Sequence, residues 1–203
     1  LFGCSTEEEK TIPPIELGKW QFEYKGKWFS ATVPGTIHTD LFAHNIIEDP
    51  FYGNNEQELQ WIEDENWSYK NTFGVTQEQL QDKHIEINFK GLDTYAEVKL
   101  NGVSVIKSDN MFRSWQVDIK EHLKVGENLL EVEFTSPLEY NKEAYENYPI
   151  KLPSGSETKE PRVGSFTRKA PYHFGWDWGP RFVTCGIWRN VEISTWNVAR
   201  ISD

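Results

Sequence analysis

Two tryptophans flank one carboxylate in the stretch Arg168-Lys-Ala-Pro-Tyr-His-Phe-Gly-Trp-Asp-Trp-Gly-Pro-Arg181. Gly175 and Gly179 bracket the triplet Trp176-Asp177-Trp178 and Pro180 follows it, so the backbone can turn on both sides but cannot continue as a central strand. A helix stops here within a turn, because glycine and proline are its poorest formers. If the segment is extended, Trp176 and Trp178 face one way and Asp177 the other. Flat apolar rings beside a two-oxygen acceptor suit a sugar, whose C–H faces stack on the rings while neighbouring hydroxyls donate to the carboxylate. A second reading keeps both tryptophans in the core and makes Asp177 a turn residue, since Asp and Gly dominate turns.

Other chemistries find no support in the spacing. The histidines (His38, His44, His84, His122 and His173) show no i, i+4 pair with an intervening carboxylate, and there are no cysteine pairs for zinc. His38 and His44 lie near one short helix but six residues apart, so they do not face each other. No glycine-rich phosphate loop and no Gly-x-Ser-x-Gly elbow occurs. The expectation is therefore no metal and no cofactor.

The elements around this stretch read as strands. Trp20, Phe22 and Tyr24 alternate with polar residues, Gly26 closes a turn, and Trp28 to Val33 pairs back. Pro34-Gly35 breaks that strand, and Thr36 can cap a short helix reaching Ala43. Residues 44–66 carry turn signals but also Phe51, Tyr52 and Trp61, so they form an ordered irregular segment with a second short helix over Asn55–Gln60. Strands then follow at close intervals: Trp67 to Phe73, Ile85 to Phe89, and Ala96 to Leu100. Asn101-Gly102 is the strongest hairpin signal, and Val103 and Val105 return from it. Trp115–Ile119 is another strand, Gly126-Glu-Asn128 a turn, and Leu130, Val132 and Phe134 a further alternation. Residues 136–165, with four prolines, read as a long polar insertion. After Arg181, the segments Phe182–Thr184 and Ile187–Ser194 complete the set. With no long amphipathic helix between strands, a parallel βαβ architecture is excluded. The expected fold is all-β, an antiparallel two-sheet sandwich with short helices in its connections.

At 203 residues the chain suffices for one large domain with a sizeable core. A net charge of −11 with no basic cluster argues against nucleic acid and anionic membranes, and suits a neutral ligand. Nine tryptophans is high for a chain of this size, and aromatic enrichment is shared by carbohydrate and protein interfaces, although core packing must account for most of them. Leu1-Phe-Gly-Cys4 resembles the end of a bacterial lipobox, with residues 1–16 as a tether. That reading makes Cys4 a lipidation site, its lipid the one membrane contact, and places an exported protein in the cell envelope. Cys185, in an apolar run, is expected to be an inert buried thiol.

The order of several short motifs resembles the N-terminal domain of β-mannosidases in glycoside hydrolase family 2. They are Val33-Pro-Gly-Thr-Ile-His38, Asp49-Pro-Phe-Tyr-Gly53, Gln60-Trp61, Phe89-Lys-Gly-Leu-Asp-Thr94, Leu100-Asn-Gly102, Asn110-Met-Phe-Arg113, Arg168-Lys-Ala170, Phe174-Gly-Trp-Asp-Trp-Gly-Pro180 and Gly186-Ile-Trp-Arg189. The resemblance implies a galactose-binding-domain-like jelly roll over residues 17–195, with 196–203 leading toward an Ig-like domain. Retaining glycosidases need two carboxylates about 5–5.5 Å apart, which this family takes from a (β/α)8 barrel that this chain cannot build. It implies that Asp177 accepts hydroxyls of a terminal mannose, with Trp176 and Trp178 as the pocket wall and Arg168, Tyr172 and Arg181 in support. The implied partners are a β-mannoside oligosaccharide and the protein's own Ig-like and barrel domains. Arg168 or Arg181 could instead be the ion-pair partner of Asp177. Asn55-Glu56 matches the family's acid/base dipeptide but precedes polar residues with no barrel strand, so it reads as an exposed helix start. The rivals are a free-standing carbohydrate-binding module and the equivalent domain of a β-galactosidase or β-glucuronidase.

Overall fold

The computed structural model describes residues 13–155 and 157–200. Cys4 and most of the segment expected to be a tether lie outside these residues, as do 201–203. Among the described residues, nine strands form two antiparallel sheets. In chain order they are β1 (Trp20–Tyr24), β2 (Lys27–Ser30), β3 (Trp67–Val75), β4 (His84–Phe89) and β5 (Tyr95–Leu100), then β6 (Val103–Asp109), β7 (Trp115–Asp118), β8 (Gly126–Thr135) and β9 (Val191–Trp196). The larger sheet runs β2-β1-β3-β8-β5-β6 and the smaller β7-β4-β9. The all-β antiparallel sandwich expected from the sequence is the fold observed.

Alternation builds the core. Along β3, Trp67, Tyr69, Asn71, Phe73 and Val75 point inward, and along β8 Leu130, Val132 and Phe134 do the same. From the smaller sheet Ile85, Ile87 and Phe89 enter the same cluster fully buried. Burying side chains of this size stabilises by about 1.5–3 kcal/mol each. Asn71 is the polar member of the inward row, and it is satisfied. Its amide exchanges two hydrogen bonds with the backbone of Gly18, at 2.9 and 2.8 Å.

Hairpin turns follow the sequence signals. Asn101 and Gly102 take φ of 51° and 83°, the left-handed pair that a two-residue turn with the right twist requires. Residues near the start also pack: Ile15 is buried, and Gln79 Nε2 donates to the carbonyls of Pro13 and Pro14.

Helix α1 (Ile37–Ala43) begins where Thr36 caps it, with a reciprocal bond from the Thr36 amide to Thr39 Oγ1. Helix α2 (Asn55–Glu58) runs through Leu59 into a 3-10 segment, Gln60–Asp64.

Four expectations are corrected. Residues 136–165 are not an unstructured insertion, because Pro137–Asn147 is an eleven-residue helix, α3. Ser136 caps it by accepting from the amides of Leu138 and Glu139, and Pro137 occupies the first turn, where its missing N–H costs nothing. The proline that signals a break in mid-helix here marks a start. Gly126-Glu127-Asn128 opens β8, and Asn128 bonds back to the carbonyls of Lys124 and Gly126. Phe182–Thr184 forms no strand. The last strand begins at Val191, not at Ile187, because Gly186 and Trp188 are committed elsewhere. Gly186 exchanges backbone bonds with Asp93, and Trp188 Nε1 donates to the Met111 carbonyl at 3.0 Å.

Candidate functional site

The Trp-rich stretch is a turn on a buried stem. Pro171–Phe174 is a 3-10 segment that ends at Gly175, whose φ of 110° turns the chain outward. Trp176 and Gly179 then form an isolated antiparallel bridge, with Asp177 and Trp178 at the tip. The segment is thus a tight turn rather than an extended run, and the two indoles meet edge to face with centroids 5.6 Å apart. Trp178 is 80% exposed, Trp176 48%, and Asp177 is exposed as well. The alternative that placed these tryptophans in the core is therefore excluded.

Below the tip the stem is fixed. Phe174 packs with Leu138, Val163 and Val183 in a small cluster of its own, so α3 supplies part of the floor. Arg181 is buried and donates through Nη1 to the Phe174 carbonyl at 2.8 Å and through Nη2 to Glu63 Oε1 at 3.1 Å. Glu157 lies 4.0 Å from the same guanidinium. Its carboxyl is raised above the ordinary range by burial, against the lowering effect of amide donors and Arg181. Arg181 thus pairs with Glu63 and Glu157, not with Asp177. Arg168 is exposed, and its contribution is its carbonyl, which accepts from the Met111 amide at 3.0 Å. Among the described residues Asp177 has no ion-pair partner. Tyr172 is exposed and its ring stacks on His173 at 4.8 Å.

A cleft of about 440 Å³ opens between α1, the Asp49–Phe51 turn and the Trp-rich loop. Phe42, Phe51, Tyr172, Trp176 and Phe182 give it aromatic walls. Its polar edge includes His38, whose Nδ1 lies 2.9 Å from Thr184 Oγ1. Behind it, the fully buried Lys169 donates to Asp93 and, at 2.8 Å, to the Thr184 carbonyl. Burial and, second, the nearby Lys169 ammonium lower both His38 and His173 to about 4. Both imidazoles are therefore neutral near pH 7. Asp49, the carboxylate on the cleft wall, is turned onto the Phe51 amide at 3.0 Å. Exposed rings, neutral hydrogen-bonding groups and an unpaired carboxylate at the tip can hold an uncharged polyol.

His38, Phe42, Phe51 and Phe182 were not singled out as site residues. His38 and Phe51 do carry a signal, because they lie in the motifs Val33–His38 and Asp49–Gly53 quoted above; Phe42 and Phe182 lie in neither. A larger cleft of about 700 Å³, around Tyr24, Trp61 and Trp67, shares no residue with the Trp-rich loop. Its rim of Glu23, Glu48, Glu58 and Glu65 is acidic.

Comparison with known proteins identifies the family. A β-mannosidase B of Emericella nidulans is 39% identical over 191 residues, covering 91% of this chain and 22% of the relative. A β-mannosidase of Bos taurus is 39% identical over 177 residues, covering 85% of this chain and 20% of the relative. The crystal structure of a β-D-mannosidase from Dictyoglomus thermophilum superposes with a TM-score of 0.86 at 44% identity, covering 93% of this chain and 23% of that one. The chain thus spans about a fifth of the length of the relatives it matches. The family model described as "Glycosyl hydrolase 2 galactose-binding domain-like" matches residues 20–189, and the chain belongs to that family.

Proposed function

We propose that this chain is the non-catalytic, sugar-contacting domain of an exo-acting, retaining β-mannosidase that releases terminal β-D-mannose. The observation that carries the reading is the exposed Trp176-Asp177-Trp178 turn, raised on a buried stem, its carboxylate without an ion-pair partner among the described residues. Solvent-facing indoles beside an unpaired carboxylate are costly to keep unless something covers them. A terminal sugar and the wall of a neighbouring barrel domain would do so together. The catalytic carboxylates belong to that barrel, and this domain closes one side of its mouth. The similarity to β-mannosidases over most of this chain supports mannose as the sugar.

The division of labour is tested with 4-nitrophenyl glycosides. The intact protein should hydrolyse the β-D-mannoside in preference to the β-D-galactoside and β-D-glucuronide. The isolated domain should show neither turnover nor tight mannose binding, because a single wall buries too little ligand to offset its lost freedom. Turnover by the domain alone would overturn the assignment. Tight binding without turnover would make it a carbohydrate-binding module instead.

A further inference from the structure

We infer that Arg181 is a positioning residue for the Trp176–Trp178 turn, and that Glu56, Gln60 and Glu63 fix where it sits. This rests on the proposed contact between Asp177 and the sugar. The turn holds itself weakly. Across its mouth it has the Gly179 amide on the Trp176 carbonyl at 3.4 Å, and its three tip side chains face solvent. Its geometry must therefore be set from the stem.

At the stem, Arg181 is held through both its backbone and its side chain. Its amide donates to Glu56 Oε1 at 2.7 Å, and its carbonyl accepts from Gln60 Nε2 at 2.9 Å. Its Nε donates to Gln60 Oε1 at 3.1 Å, Nη2 to Glu63 Oε1, and Nη1 back across the loop to the Phe174 carbonyl. The guanidinium also lies over the Phe174 ring, 5.8 Å from its centroid. One side chain thus ties both feet of the loop, Phe174 and Arg181 itself, to a single support. Positions 56, 60 and 63 have the i, i+4, i+7 spacing of one helix face, and that face is presented by α2 and the 3-10 segment after it. Glu56 belongs to the Asn55-Glu56 pair, and its carboxylate serves the backbone of the sugar loop rather than any catalysis.

A buried, paired guanidinium is weak as a source of stability, since an apolar replacement of similar volume is often as stable. Five directional bonds converging on one residue do confer a fixed direction. Direction is what a sugar contact needs, because misplacement by about 1 Å can cost on the order of 100-fold in rate.

The test uses the intact protein with Gln60→Ala and Glu56→Ala, at part-exposed positions, which cut bonds to Arg181 and leave the Arg181–Glu63 pair in place. Each should lower kcat/KM for 4-nitrophenyl β-D-mannoside about tenfold with an unchanged melting temperature, while Glu56→Gln, which keeps an acceptor oxygen, stays near wild type. On an Asp177→Ala background, Gln60→Ala should add less than a twofold further loss, because both act through one contact. Hydrogen exchange at the Trp176–Gly179 amides should rise in the alanine variants. Unchanged exchange, or losses that multiply fully with Asp177→Ala, would overturn the positioning role. Wild-type kinetics in Asp177→Ala alone would instead overturn the sugar contact, and exchange would still decide whether Arg181 holds the turn.

Discussion

Trp176 and Trp178 meet edge to face at 5.6 Å with their planes at 84°, and the residue between them, Asp177, stands exposed at the tip of the turn. The contact makes one aromatic corner from two residues whose side chains would point in parallel if the segment were a strand. A carboxylate beside such a corner supports no core, and the consequence is measurable.

In the intact protein, Asp177→Ala is expected to lower kcat/KM for an aryl β-mannoside about 10- to 10³-fold, the equivalent of losing a charged hydrogen bond worth about 1.5–3 kcal/mol or more in a dry site. The melting temperature should stay within about 1 °C. Normal kinetics combined with a lowered melting temperature would make Asp177 a structural turn residue. A substrate lacking the relevant hydroxyl should be poor for wild type and little worse for the variant.

His38 gives this domain an acid-side liability. Burial holds the folded imidazole at about 4, against 6.5 for the free side chain, so between those values the unfolded chain binds more protons than the folded one. Nothing is lost above pH 6.5; the loss grows as pH falls through that interval and reaches about 3 kcal/mol once pH is below 4. His173 behaves alike, so wild type alone does not isolate His38. His38→Asn keeps a group that can reach Thr184 Oγ1, and urea titrations from pH 7 to 4 should show a shallower loss of stability in the variant. Parallel curves would rule the account out.

The Lys169–Asp93 pair is buried on both sides, and burial drags the ammonium down while Asp93 opposes that shift. Lys169→Met removes one partner and strands the other carboxylate, at an expected cost of about 3–5 kcal/mol. Adding Asp93→Asn should recover a substantial share. Equal stability of the single and double variants in chemical denaturation would show that the charge is not the cause.

Ser136 caps α3 and also donates through Oγ to the Glu63 carbonyl at 2.5 Å. It ties the floor of the loop to the segment that supports Arg181. Ser136→Ala should cost about 1–2 kcal/mol. Hydrogen exchange should rise first in the opening turn of α3, and exchange confined to global unfolding would contradict the capping role.

Much of this was legible in the chain itself. Period-two alternation at Trp67–Phe73, Ile85–Phe89 and Leu130–Phe134, with Asn101-Gly102 between strands, determines an antiparallel sandwich, because each pattern is local and each buries one face. Thr36 and its helix were equally local. The Trp-Asp-Trp triplet announced itself through composition and motif order. What sequence could not decide was which groups meet across long separations. Residues 136–165 read as a proline-rich insertion, yet Ser136-Pro137 starts α3, and the packing of Leu138 on Phe174 is a contact that local pattern does not reveal. Whether Arg181 answers Asp177, four residues away, or Glu63, 118 residues away, is not a question of spacing. The fold decides it: burying the guanidinium beside Glu63 and Glu157 leaves Asp177 at a tip that its reach does not extend to, and only the tertiary structure brings those carboxylates together.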